Sequence, residues 1–116
     1  MTWGTHWAGG IVSPANPAYN VRELAHHLKD SGAKALFTQK HLLDVAMKAC
    51  DEVGIPRERI VLVGDEKERG VLHVSELLDS RVSIGERVRL DCERDLAFLV
   101  YSSGTTGELI SYVLGL

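Results

Sequence analysis

Six consecutive residues near the end of this chain, Ser102, Ser103, Gly104, Thr105, Thr106 and Gly107, are all hydroxyl-bearing or glycine, and an unbroken apolar run at 96–101 leads into them. Such a run bounded by turn residues reads as a buried strand. Small residues let backbone N–H groups approach an anion closely. Glycine reaches backbone conformations closed to bulkier residues, and hydroxyls add donors or metal contacts. The chemistry that suits this pattern is the cradling of a polyanion such as ATP. The hexapeptide alone reads rather as a plain flexible surface loop; the buried strand that feeds it shifts the balance somewhat toward the anion site. No lysine follows Gly104 or Gly107, so the loop is not of the Walker type.

The elements able to position such a loop alternate along the chain. Residues 33–38 and 59–64 read as strands, and 71–74 as a shorter one. Between them, Asn20 caps a helix with Glu23 three residues on, and Val21, Leu24, Ala25 and Leu28 form its stripe up to Gly32. A second helix spans 41–53, with Leu42, Val45, Ala46, Ala49 and Val53 inward and Gly54 as its left-handed stop. Ser75 is placed to cap a brief helix through Leu78. The segment 81–93 fits an edge strand and an ordered loop equally. Alternation of this kind predicts an α/β fold with parallel strands, in which ligands bind at the carboxyl ends of strands.

At the other end, Trp3 and Trp7 share a face of a short helix stopped by Gly9 and Gly10, and core packing is expected of both. Residues 11–13 read as a short strand, and 14–19, with Pro14 and Pro17, as a rigid extended loop. His26 and His27 are expected at solvent or at the boundary. His6, His41 and His73 have no Cys, Asp or His at ligand spacing, so no metal site built by the chain itself is expected. The mixed-charge stretch 65–70 reads as a solvated connection.

Composition narrows the classes. With 45% hydrophobic and 25% charged residues in 116, the chain is long enough for one core and is not disordered in the main. A net charge of −3 with scattered Lys and Arg gives no field for nucleic acid. No apolar run is long enough for a membrane span. Cys50 and Cys92 form no CxxC pattern and read as reduced, buried side chains of an intracellular compartment.

Two blocks then carry a resemblance: Gly9-Gly10-Ile11-Val12-Ser13-Pro14-Ala15-Asn16-Pro17-Ala18-Tyr19, and Asp95-Leu96-Ala97-Phe98-Leu99-Val100-Tyr101-Ser102-Ser103-Gly104-Thr105-Thr106-Gly107. In this order and separation they resemble the adenylate-forming (AMP-dependent) enzymes, specifically acyl-CoA synthetases of the 4-coumarate:CoA ligase kind. Ser31-Gly32-Ala33-Lys34 and Gly54-Ile55-Pro56 add to the likeness. The resemblance implies joining of a small-molecule carboxylic acid to ATP, with Mg2+, and transfer of the acyl group to CoA. It further implies that Ser102, Ser103, Gly104, Thr105, Thr106 and Gly107 hold the ATP phosphates.

The resemblance stops after Gly107, where Ile110 stands at the position of the family's lysine and Glu108 adds a negative charge. Residues 1–107 are therefore expected to be part of the large N-terminal domain of such an enzyme, and 108–116 an atypical apolar tail. The expectation for the chain as written is a fragment with no catalytic residue and no activity of its own, able to self-associate through exposed apolar surface. The competing reading is a non-enzymatic module that binds nucleotide weakly or associates with a full-length relative. An independent flavodoxin-like domain accounts for the alternation but not for the two blocks. For the whole family, cytoplasmic and peroxisomal compartments both fit, and Leu114-Gly115-Leu116 is not a Ser-Lys-Leu address.

Overall fold

The structure is a computed structural model that describes residues 1–79, 88–91, 93–103 and 109–115, with 102, 103 and 109–115 described by backbone alone. The chain divides into two compact units, Asn16–Val82 and the pair Met1–Ala15 with Ser83–Leu116.

The first of these units is the predicted α/β layer. Helix α2 (Val21–Asp30) starts at a complete capping box: Asn20 Oδ1 accepts from the Glu23 N–H at 3.0 Å, and Glu23 Oε2 accepts from the Asn20 N–H at 2.8 Å. Two orphan donors at the start of the helix are thereby satisfied by side chains of the same turn. The end of α2 and that of α3 (Leu43–Val53) share one device. Gly32 and Gly54 take left-handed φ of 63° and 77°, and the next residues, Ala33 and Ile55, return their N–H groups to Leu28 O and Cys50 O at 3.0 and 2.9 Å. A side chain at either glycine would strain that turn.

Three parallel strands, β1 (Leu36–Thr38), β2 (Ile60–Leu62) and β3 (Leu72–His73), form the sheet in the order β1-β2-β3. Leu36 pairs with Ile60, Phe37 with Val61, Thr38 with Leu62, and Leu62 in turn with His73. The central strand is covered on both faces, as parallel sheets require: Ile60, Val61 and Leu62 are all buried. Helix α3 reaches β1 and β2, and α2 packs on α3. The small residues Ala46, Ala49 and Cys50 are wholly buried, so the packed elements approach closely there. Each fully buried Ile or Leu of this core is worth about 1.5–3 kcal/mol.

His27 departs from expectation, for it is 1% exposed, with the Tyr19 ring 6.0 Å away. Its position three residues after Leu24 and one before Leu28 places it on the buried stripe, whereas His26 points outward. The short helix α4 (Val74–Asp79) also starts differently. It begins one residue too early for Ser75 to cap it, and His73 occupies the capping place instead.

In the other unit, α1 (Thr2–Trp7) ends as predicted at Gly9, φ 74°. Its tryptophans are not core: Trp3 and Trp7 are 81% and 51% exposed, and His6 takes the covered position, edge-on to Phe98 with ring centroids 5.0 Å apart. The predicted strand at 11–13 is a single parallel bridge, Val12 to Phe98. Strand β4 (Leu96–Ser103) does not join the parallel sheet. It pairs antiparallel with β5 (Leu109–Gly115), Leu99 opposite Val113 and Ser103 opposite Leu109. The five residues between them allow only this sense, because a parallel return needs a dozen or more. Of 81–93, residues 88–91 show no strand, and 80–87 and 92 lie outside the described residues.

Candidate functional site

The strand β4 delivers the Ser/Gly/Thr segment, and three contacts from one short stretch fix it. The Val12 N–H donates to Ala97 O and the Leu99 N–H to Val12 O, both at 3.0 Å. One residue on, the Ser13 hydroxyl donates to Leu99 O at 2.9 Å. At its start, β4 leaves a tight turn in which Asp91 Oδ1 accepts from the Glu93 N–H at 3.0 Å and Asp95 Oδ2 from the Asp91 N–H at 2.8 Å. The two sequence blocks that stand far apart in the chain thus meet along one strand. Ala97, between the paired positions, is 1% exposed, and β4 is held by backbone bonds on both edges.

Of the sequence-predicted site residues, Ser102 and Ser103 are the last two of β4, in register with Ile110 and Leu109 of β5. Gly104, Thr105, Thr106 and Gly107 lie outside the described residues, as does Glu108. The donor set is chemically suited to phosphate oxygens through hydroxyls and backbone N–H groups, and it contains no cation. Ile110 is the register partner of Ser102. Among the described residues no three His, Cys, Asp or Glu side chains gather to hold a metal, and no helix is long and apolar enough to cross a membrane.

The sequence singled out no role for His73, which the structure makes the centre of a polar cluster. The imidazole is 5% exposed. Its Nδ1 accepts from the Ser75 N–H at 3.2 Å, which leaves Nε2 to carry the proton and donate to Gly64 O at 2.9 Å. The Ser75 hydroxyl lies 2.8 Å from Nδ1 and is therefore a second donor to it, while Glu76 Oε1 accepts from the His73 N–H at 3.2 Å. The arrangement is half of a capping box: Glu76 reaches back to the His73 N–H, while the histidine ring, in place of the usual Ser or Asn, caps the Ser75 N–H, and the His-x-x-Glu spacing is the signal that discloses it. Both ring nitrogens are used, Nδ1 in capping α4 and Nε2 in tying β3 to the segment that follows β2, so the cluster is structural.

Cys50 is 0% exposed, and its thiol pKa is raised to about 11, first by burial and then by the charge of Asp51. It behaves as a small core hydrophobe, as the sequence predicts. Cys92 lies outside the described residues.

Comparison with known proteins bears on the family and the fold. The family model described as "AMP-binding enzyme" matches residues 1–109. Acyl-CoA synthetase 7 of Caenorhabditis elegans is 30% identical over 105 residues, 90% of this chain and 19% of its own. The peroxisomal OPC-8:0-CoA ligase 1 of Arabidopsis thaliana is 37% identical over 102 residues, 85% of this chain and 18% of its own. Among solved structures, a long-chain-fatty-acid-CoA ligase from Archaeoglobus fulgidus superposes with a TM-score of 0.81 at 31% identity, covering 98% of this chain and 22% of that one. The chain thus spans about a fifth of the length of the curated relatives it matches. With the match running from the first residue through β4 and the Ser/Gly/Thr segment, the chain belongs to the AMP-binding enzyme family.

Proposed function

We propose that residues 102–107 bind the phosphates of ATP, with Mg2+ beside them, as the phosphate loop of an AMP-forming acyl-CoA ligase. In such an enzyme ATP activates a carboxylic acid as the acyl-adenylate, pyrophosphate leaves, and the acyl group passes to the sulfur of CoA. The observation that carries this reading is the family match over residues 1–109, which includes the whole loop and ends two residues beyond it. The chain's own part is positioning: β4, pinned by Val12 and Ser13, presents a run of neutral donors to the phosphates. Neutral, preorganised donors orient a polyanion and stabilise the charge that moves on it.

Taken by themselves, the 116 residues are proposed to lack this activity, because Glu108 and Ile110 stand beside the loop in the sequence. Charge-assisted contacts are worth about 1.5–3 kcal/mol each, so one lost lysine weakens ATP binding by tenfold or more. The test is ATP–pyrophosphate exchange and MgATP titration of the chain beside its Ile110→Lys variant. No exchange in either, with tighter MgATP binding by Ile110→Lys, is expected. Exchange by the chain itself would overturn the lack of competence; equal binding by both would remove the loop from the phosphate site.

A further inference from the structure

Pro14 interrupts a strand pairing at the point where its next bond would form. Val12 and Phe98 make a parallel bridge in which the Val12 N–H donates to Ala97 O and the Leu99 N–H to Val12 O, both at 3.0 Å. In a parallel ladder the following bond runs from the N–H two residues on, here at position 14, to Leu99 O. Proline has no N–H to give. The Ser13 hydroxyl takes that place and donates to Leu99 O at 2.9 Å. A side chain thus satisfies the acceptor that the backbone pattern leaves empty.

The same exchange ends the pairing. Residues 13–16 have no regular structure, and the chain turns back on itself through the Tyr19 N–H to Asn16 O and the Ala18 N–H to Asn16 Oδ1. Because both main-chain groups of Leu99 face Val12, those of Tyr101 and Ser103 are directed to the same edge of β4, and those of Val100 and Ser102 to β5. Among the described residues, none after Val12 pairs with β4 on that edge. We propose that Ser13 is the positioning residue of the phosphate segment: its hydroxyl replaces the donor missing at Pro14, seats β4 against Val12, and stops the ladder so that the edge at Ser103 stays open to phosphate oxygens. The inference rests on the reading of residues 102–107 as a phosphate site and adds the residue that seats it.

The test measures two quantities in the 116-residue chain and its variants: MgATP affinity, and amide hydrogen exchange at Ser102, which reads the end of the strand without nucleotide. Ser13→Ala is expected to weaken MgATP binding and to speed exchange, each about fivefold, the equivalent of one ordinary hydrogen bond. Ser13→Thr keeps the hydroxyl and should match the parent in both. The double variant Ser13→Ala/Pro14→Ala supplies a main-chain N–H to Leu99 O and should regain most of both. Asn20→Ala, which removes the cap of α2 in the other unit, should change neither. Parent-like exchange or MgATP affinity in Ser13→Ala would overturn the proposal, as would failure of both the threonine and the double variant to restore them. An equal loss in Asn20→Ala would also overturn it, since general destabilisation would then be the cause. If Ser13→Ala does not fold, folding of the double variant supports the role and its failure to fold overturns it. If the parent binds no MgATP, the phosphate reading falls by itself, and exchange at Ser102 decides whether Ser13 seats the strand.

Discussion

The Ser13 hydroxyl donates to the main-chain oxygen of Leu99 across 86 positions of sequence, at 2.9 Å. It ties the segment that precedes the proline-rich loop to the middle of the strand that ends in Ser102 and Ser103. Replacing Ser13 by alanine removes the bond and is expected to cost about 1 kcal/mol. Urea unfolding monitored by circular dichroism checks it. An unchanged midpoint would mean that the backbone bonds of Val12 hold β4 without help.

The capping box of α2 gives a second expectation. Asn20→Ala removes the acceptor for the Glu23 N–H and should destabilise by about 1 kcal/mol, whereas Asn20→Ser, another good cap, should keep most of the stability. Equilibrium unfolding of the three proteins separates the outcomes. Equal losses in both variants would place the effect elsewhere than in the cap.

His73 joins β3 to α4 through its ring. His73→Leu leaves Gly64 O and the Ser75 N–H without their partner and is expected to cost about 1–3 kcal/mol. His73→Asn restores a cap but not the reach to Gly64, and should fall between. Amide hydrogen exchange at Ser75 is the specific readout: fast exchange in the leucine variant and intermediate protection in the asparagine variant are expected.

Cys50 supplies a pH dependence whose sign follows from its burial. The folded state holds the thiol pKa near 11, above the unfolded value near 9.0. The folded chain therefore binds more protons than the unfolded chain between these values, so stability is complete below pH 9 and falls as pH rises toward 11. Cys50→Ala, or Cys50→Ser if the cavity proves costly, should flatten the profile over that window. At pH 8 a thiol reagent should label Cys50 only as fast as the core opens.

The local chemistry of helix ends was legible in residue types: Asn20 with Glu23, Gly32 and Gly54 each do what their side chains, or the lack of one, dictate. The α/β alternation of Asn16–Val82 followed from apolar periodicity in the same way. The exceptions are positions where a neighbour distant in sequence decides. Phe98 covers His6 and leaves the tryptophans outward. His27 is a different case: its place on the stripe of Leu24 and Leu28 was legible in the helical spacing, and two adjacent histidines that look like a solvent face hid it. Strand β5 was hidden because pairing is a tertiary event, and its apolar run reads equally as a tail. The strand that leads into the candidate site at Ser102 and Ser103 was legible in its apolar run, while the tie from Ser13 was not, since nothing in either block announces that the two touch.

The most direct measurement is ATP–pyrophosphate exchange by a chimera in which residues 1–107 replace the matched segment of the Archaeoglobus fulgidus ligase, so that the ligase's own sequence follows the loop of this chain. The account predicts exchange in the folded chimera, and a raised KM for ATP when Thr105 and Thr106 are replaced by valine, with the melting temperature unmoved. A folded chimera whose KM for ATP is indifferent to both threonines would contradict the assignment of residues 102–107 to the phosphates.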